Sequence, residues 1–176
     1  YNNKNDLILD GGCGSGYLLA ELLKNKYDAI GIDHDDQMLS IALNRLRTSD
    51  LKAPLYNHDL RDKLAVKVDV IISFFDVMNY FKGVKRVFSN IRLALNENGR
   101  FIFDVYKESV LSDYDGYEEK ESQPFDYHWS IETKGNSFKH LVTLDNDTHR
   151  LIQYVRPVNY YKDILRSLGF KSIKVK

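Results

Sequence analysis

Asp10, Gly12, Gly14 and Gly16 alternate through Leu-Ile-Leu-Asp-Gly-Gly-Cys-Gly-Ser-Gly, residues 7–16. An acid followed by closely spaced glycines can turn the chain sharply and leave bare backbone against which a charged or nucleotide-like ligand can lie. Spacing separates the nucleotide sites such a loop could form. Gly11 and Gly16 match the two glycines of a phosphate-binding P-loop, but Tyr17 and Leu18 stand where that loop needs Lys and Ser or Thr. The dinucleotide pattern G-x-G-x-x-G loses its third glycine to Tyr17 or to Leu19, depending on where it starts, which demotes an NAD-dependent oxidoreductase. The single cysteine, Cys13, lies inside the loop; it has no partner for an internal disulfide and fits as a small side chain better than as a nucleophile.

A second acid strengthens the reading of the loop. Seventeen residues beyond Gly16, the run Ala29-Ile-Gly-Ile ends in Asp33, at the carboxyl end of what should be the second strand of a βαβ unit. A carboxylate there accepts hydrogen bonds from both hydroxyls of a ribose. The pattern Asp10-x-Gly12-x-Gly14-x-Gly16, followed by Gly31-Ile-Asp-His-Asp-Asp-Gln-Met-Leu, resembles the class I S-adenosylmethionine-dependent methyltransferase family, most specifically over residues 7–106. The resemblance implies an enzyme that uses S-adenosyl-L-methionine. It assigns Asp10, Gly12, Cys13, Gly14 and Gly16 to the cofactor loop, Asp33 to the ribose and His34 to a backbone contact. It further assigns Asp59 with Leu60 to the adenine, and Phe74 with Phe75 to the methionine side. Met38 falls one turn into the second helix, where it would lie beneath the adenosine.

The elements that must carry these residues are legible from their periodicity. Ser15 to Lys26 places Leu18, Leu19, Leu22 and Leu23 at helical spacing, with its amino end toward the glycines and suited to a carboxylate. After Asp35 and Asp36 a second helix follows, with Met38, Leu39, Ala42, Leu43 and Leu46 as its stripe. Pro54 to Asp59 reads as a third strand. Val68 to Phe75 is the continuous apolar run of a fourth strand covered on both faces. Val84, Val87, Phe88, Ile91 and Leu95 make a third helix stopped by Asn98-Gly99, and Arg100 to Tyr106 is a fifth strand. Strands alternating with helices predict an α/β fold, a Rossmann-like and mostly parallel doubly wound sheet whose ligand lies beyond the strands' carboxyl ends.

Texture changes after Tyr106. Asp104 to Asp126 holds eight acids against Lys107 and Lys120, with Tyr106, Tyr114, Tyr117 and Phe125 interspersed, and reads as an acidic loop. Alternating runs at Tyr127 to Thr133, Phe138 to Asp145 and Arg150 to Val155, separated by Gly135-Asn136 and Asp145-Asn146-Asp147, predict antiparallel strands. Residues 107–155 are thus expected as a small antiparallel β insertion after the fifth strand, in a single domain whose core is 1–106 and 157–176. Pro157 opens a last helix bearing Tyr160, Ile164, Leu165 and Leu168, Gly169 ends it, and Phe170 to Val175 is expected as a strand. The family's seventh strand has no clear counterpart, and with Tyr1 in first place the chain is expected to be a trimmed one.

Composition bounds the partners. Lys plus Arg and Asp plus Glu are both 25, so no basic excess favours nucleic acid or an anionic membrane. No apolar run approaches the roughly 18 residues that span a bilayer, and no signal peptide opens the chain, which makes cytoplasmic the default location. His34, His58, His128, His140 and His149 fall in no metal-ligand spacing, and no metal is expected. Methyl transfer to a small-molecule acceptor, at nitrogen or oxygen, needs positioning and benefits from a base; Asp76, Tyr80 and His128 are the candidates. Asn79, Tyr106, Tyr127 and Trp129 are expected to line the acceptor. A fold-retaining protein that binds S-adenosylmethionine without catalysis is the alternative, and both monomer and homodimer fit.

Overall fold

Strand by strand, the apolar runs go to the middle of one sheet. The computed structural model describes residues 4–123, 126–145 and 147–176; Phe125 and Asn146 lie outside the described residues. β1 (Leu7–Gly11), β2 (Asp28–Asp33), β3 (Leu55–Asn57), β4 (Val68–Ser73) and β5 (Leu95–Phe103) form a parallel sheet in the order β3-β2-β1-β4-β5. Order reverses between β1 and β4, so a crevice opens beyond their carboxyl ends, next to the glycine loop.

Alternation sends neighbouring residues of each strand into different cores. Leu9 and Ile71 join one cluster, under α3 (Lys85–Ala94) and α5 (Val158–Ser167), with Phe88, Ile91 and Leu165. Ile8, Val70 and Ile72 join the other, under α1 (Tyr17–Lys24) and α2 (Asp36–Thr48), with Leu19 and Leu46. Phe88 is fully buried, with Phe101 edge-on at 5.2 Å, and burying a ring of this kind contributes roughly 1.5–3 kcal/mol. On α2 the buried stripe narrows to Leu39, Ala42 and Leu46. Met38 and Leu43, expected in it, are exposed on its flanks.

β5 begins earlier than its sequence suggests. Leu95 pairs with Val68 immediately after α3 ends, the register slips, and pairing resumes at Arg100 opposite Val70. Asn98, expected as a helix stop, supplies the left-handed residue of that bulge (φ 62°).

The second sheet is antiparallel, in the order β6-β7-β8-β9: β6 (Glu118–Glu121), β7 (Tyr127–Lys134), β8 (Ser137–Leu144) and β9 (Asp147–Tyr154). Three of its strands match the expected runs. The fourth, β6, corrects the expected acidic loop: Glu-Glu-Lys-Glu carries no apolar signal, and backbone pairing to β7 makes it an edge strand. A short helix, α4 (Val110–Asp113), precedes it. Ile131, Phe138 and Val155 form a third core with Tyr106, Tyr117 and Trp129 against it. The expected strand from Phe170 to Val175 is also corrected. Residues 170–176 pair with no strand, because Ser172 turns left-handed (φ 55°), and Phe170 docks through its ring beside Phe101 instead.

Candidate functional site

The glycine loop is shaped by contacts that forbid larger residues. Gly12 (φ 80°) and Gly16 (φ 72°) are both left-handed, and an added Cβ would come within 2.7 Å of Val77 or 2.8 Å of Ala42. The amides of Gly12 and Cys13 both donate to the Ile32 carbonyl at 2.9 Å, and Ser73 Oγ donates to the Gly11 carbonyl at 2.6 Å, which ties the loop to β2 and β4. Over Gly14 the arrangement is different: its Cβ would meet nothing within 4 Å, so the loop is open on that side.

Asp33 bonds Gly14 beneath this opening, and Asp10 is near enough to feel its charge. Asp10 is 2 % exposed and its Oδ2 has no hydrogen-bond partner among the described residues. Burial first, and then the charge of Asp33, raise its carboxyl to about 7, while the Leu19 amide pulls the other way. Asp33 is buried too. Its Oδ2 accepts from the Gly14 amide at 2.8 Å and its Oδ1 from the Asp35 amide at 3.0 Å. A carboxylate has about four acceptor positions, so capacity for two hydroxyls is left. Cys13 is buried, and burial with the charges of Asp10 and Asp33 pushes its thiol up to about 12, which leaves it packing and no nucleophilicity.

Around the loop stand the other expected cofactor residues. His34 is exposed, with Nδ1 3.4 Å from Asp33 Oδ1, and its carbonyl accepts from Asn57 at 3.3 Å. Met38 is exposed on the first turn of α2, where its amide donates to Asp35. Asp59 is clamped by Arg61, whose Nε donates at 2.9 and 3.0 Å to its two oxygens, and this contact holds its carboxyl below the usual range. Leu60 is buried against Gly11. Phe74 packs on the α1 side of the sheet, whereas Phe75 is 66 % exposed.

Phe75 and Asp76 form a turn that sequence alone does not announce. Both are left-handed (φ 63° and 55°), a conformation that costs about 1–2 kcal/mol per residue without a glycine. Asp104 offsets the strain: its two oxygens accept from the Phe75 amide at 3.0 Å and the Asp76 amide at 2.9 Å. Asp76 precedes the 3-10 turn Val77–Tyr80 but makes no capping bond to it. Its side chain instead meets Gln153 of β9 and the Tyr106 phenol. Burial and the nearby Asp104 raise the Asp76 carboxyl, against those two hydrogen bonds. Tyr106 is pushed up to about 12 by burial and by Asp76, and Tyr80 is raised by the same two causes.

The remaining candidates separate onto two faces. Tyr127, Trp129 and Ile131 share one face of β7. His128 and Ser130 share the other. His128 bonds Glu118 at 2.8 Å on that second face, opposite the side on which Trp129 packs, which removes it from the base candidates gathered around Asp76. Asn79 is fully buried: its Nδ2 donates to the Tyr154 carbonyl at 2.8 Å and its Oδ1 accepts from the Tyr106 amide at 3.2 Å. It joins the two sheets instead of lining a surface. Gln153 and His140, absent from the sequence-based candidates, stand on the inward rows of β9 and β8; a polar residue at an inward position of an alternating strand is the signal that marks them.

No helix among the described residues is long and apolar enough to cross a membrane, and no cluster of possible metal ligands occurs among them.

Comparison with known proteins agrees with this geometry. Residues 9–101, more than half the chain, match a family described as a methyltransferase domain. A protein of Geobacillus sp. (strain WCH70), named as a candidate methyltransferase, is 25 % identical over 187 residues, covering 96 % of this chain and 75 % of that one. The carboxy-S-adenosyl-L-methionine synthase of Nautilia profundicola is 24 % identical over 189 residues, covering 97 % and 71 %. Among solved structures, an S-adenosylmethionine-dependent methyltransferase from Clostridium acetobutylicum superposes with a TM-score of 0.82 at 22 % identity, covering 92 % and 72 %. The sugar N-methyltransferase KedS8 from Streptoalloteichus sp. gives 0.77 at 18 %, covering 93 % and 71 %, a likeness of fold. With its glycine loop, its paired acids and its strand order, this chain belongs to the class I S-adenosylmethionine-dependent methyltransferases.

Proposed function

We propose that the chain is one methyltransferase domain that methylates a small-molecule acceptor at nitrogen or oxygen, with Asp76 as the base. The residues suit the cofactor. Asp10 Oδ2 is a buried, unpartnered carboxyl oxygen whose ionised form a cationic group would favour, Gly14 leaves space for close approach, and Asp33 has lone pairs for ribose hydroxyls. S-adenosylmethionine supplies a methyl group on a sulfonium, which the acceptor takes by in-line displacement.

The chain's own residues do the rest. Glycines 12, 14 and 16 bring backbone against the ligand, while Asp33 and Met38 orient its nucleoside end. Asp59 is already satisfied by Arg61, so its hold on adenine would use the lone pairs Arg61 leaves. The observation that carries the acceptor side is the position of Asp76, three residues past β4 and facing the second sheet through Gln153 and Tyr106. Its raised carboxyl is a stronger base than an ordinary one, able to take the proton that an acceptor amine or hydroxyl gives up. Tyr80 and Tyr106, whose phenols keep their protons, serve as donors and walls. Asp76 and Asp104 together disfavour an anionic acceptor and suit an amine that arrives protonated.

Screening amines and hydroxylated small molecules for S-adenosylhomocysteine release tests the reading. Turnover on one of them, with S-adenosylmethionine bound in the micromolar range and NAD not bound, is the expected result. Binding without turnover on any acceptor would leave a non-catalytic protein. Asp33→Ala should weaken the cofactor by about 1.5–3 kcal/mol in a calorimetric titration, the scale of hydrogen bonds to a charged acceptor. An unchanged dissociation constant in a folded variant would place the ribose elsewhere.

A further inference from the structure

We infer that Trp129, His140 and Gln153 are positioning residues for Asp76: a directional hydrogen-bond relay across the second sheet, in which each donor fixes the orientation of the next group. This rests on the reading of Asp76 as the base.

Each link leaves only one arrangement of protons. Trp129 Nε1 lies 3.3 Å from His140 Nδ1, and an indole N–H only donates, so Nδ1 must accept. A neutral imidazole that accepts at Nδ1 carries its proton on Nε2, which lies 2.9 Å from Gln153 Oε1. Gln153 is therefore held with its carbonyl toward His140 and its NH2 toward Asp76 Oδ2, to which it donates. Flipping that amide would set N–H against N–H at one end and lone pair against lone pair at the other.

Packing makes the relay stiff. β7, β8 and β9 present Trp129, His140 and Gln153 on the same face, in neighbouring positions set by the Ile131↔His140 and Phe138↔Gln153 pairings. Trp129 stacks on the His140 ring at 5.9 Å and 22°, Phe138 flanks it at 5.8 Å, and Gln153 is 2 % exposed. Protonating His140 would put Nδ1–H against the indole N–H inside this stack, and burial lowers its tendency to ionise further. The imidazole therefore stays a neutral spacer.

The groups around Asp76 explain what the relay does. Burial and then Asp104 favour the protonated carboxyl, while the Gln153 amide and the Tyr106 phenol favour the ionised form; Tyr80 adds a phenol nearby, and His140 acts through Gln153. A base must be both strong and unprotonated at working pH. Gln153 supplies the second condition where burial supplies the first, and it can do so only while His140 holds its amide the right way round.

NMR on the full chain tests this with the titrating groups themselves as probes. In wild type, long-range 15N spectra should show His140 as a single Nε2–H tautomer that stays neutral where an ordinary histidine takes up a proton. Trp129→Phe keeps an aromatic stack and deletes the donor, so both His140 tautomers should become populated. Gln153→Met keeps the volume and deletes the amide, and the Asp76 midpoint, followed by carboxyl 13C shifts, should rise by about one pH unit. Cofactor titration of each variant checks the fold. A wild-type His140 protonated at Nδ1, or an Asp76 midpoint unmoved in a Gln153→Met protein that still binds S-adenosylmethionine, would overturn the relay and leave the methyltransferase reading intact. Loss of cofactor binding by the wild type would sink that reading instead. Should Gln153→Met fail to fold, the tautomers of wild type and Trp129→Phe decide the matter.

Discussion

Asp76→Asn should lower kcat about 100-fold or more while the dissociation constant for S-adenosylmethionine changes less than about threefold; removal of a general base costs on the order of 10² to 10⁴ in rate. The substitution keeps the volume of the side chain and one oxygen for the Gln153 amide and the Tyr106 phenol, so the junction between the sheets should survive. What it deletes is the ability to take a proton. The backbone of the turn is untouched, because the Phe75 and Asp76 amides donate to Asp104 whatever the residue 76 side chain is. Single-turnover release of S-adenosylhomocysteine, measured with the acceptor found by screening, isolates the step. Burial and Asp104 raise the wild-type carboxyl, so the acid limb of kcat/KM should lie above the usual carboxylate range and vanish in the variant. Activity within threefold of wild type would end Asp76's candidacy and return the problem to positioning alone.

A second large effect is expected at Asp10, and its sign is unusual. The folded carboxyl titrates at about 7 against 3.8 for an unperturbed aspartate. Below pH 3.8 the group is protonated in both folded and unfolded chains and contributes nothing to pH dependence. Between 3.8 and 7 the unfolded chain gives up the proton and the folded chain retains it, so stability of the free protein falls by about 1.4 kcal/mol per pH unit, about 4 kcal/mol in all. Above 7 both forms are ionised and the loss is complete. Asp10→Asn has no proton to lose, so its denaturation midpoint should climb relative to wild type from pH 4 to pH 7 and then run parallel. In the ligand the expectation reverses. A cation brought near Asp10 favours its ionised form, so wild type should release protons on binding S-adenosylmethionine below pH 7, seen as a buffer-dependent heat in calorimetry. The variant should bind more weakly, with no such release. Parallel stability curves from pH 4 to 7 would mean that Asp10 ionises as an ordinary acid.

The parallel sheet and its loop were readable because parallel strands buried on both faces become continuous apolar runs, as Val68–Ser73 does, and because glycines at 12, 14 and 16 admit few alternatives. Other parts were opaque for definite reasons. β6 is held by main-chain pairing and by the polar contact of Glu118 with His128, neither of which leaves an apolar pattern, so Glu118–Glu121 looks like solvent-loving loop. Ser172 overrides the apolar pattern of Phe170 to Val175 through one backbone angle. His140 and Gln153 lie thirteen residues apart on different strands, and their meeting with Asp76 depends on registers that no local pattern encodes. Asp104 was visible as an acid near the end of β5, but its work on the Phe75 and Asp76 amides belongs to a turn whose left-handed residues are not glycines. The candidate base was thus legible as a position and illegible as an environment.

Asn79 bears on how the molecule can be re-engineered. Because one buried amide bonds both the Tyr154 carbonyl at the end of β9 and the Tyr106 amide after β5, the second sheet is not a cassette that can be clipped out or exchanged at its two ends. A deletion within Asp113 to Ser122 would take away β6 and the Tyr117 ring that lies against Trp129, so it would report on architecture before specificity. A graft from a relative would have to bring a carbonyl and an N–H to the same two points, or leave a desolvated amide behind. The outward row of β7, with His128, Ser130 and Glu132, carries no such obligation to Asn79. Modularity here runs by face and not by segment: one side of the second sheet is free to be rewritten, and the other is fastened to the turn that carries the proposed base.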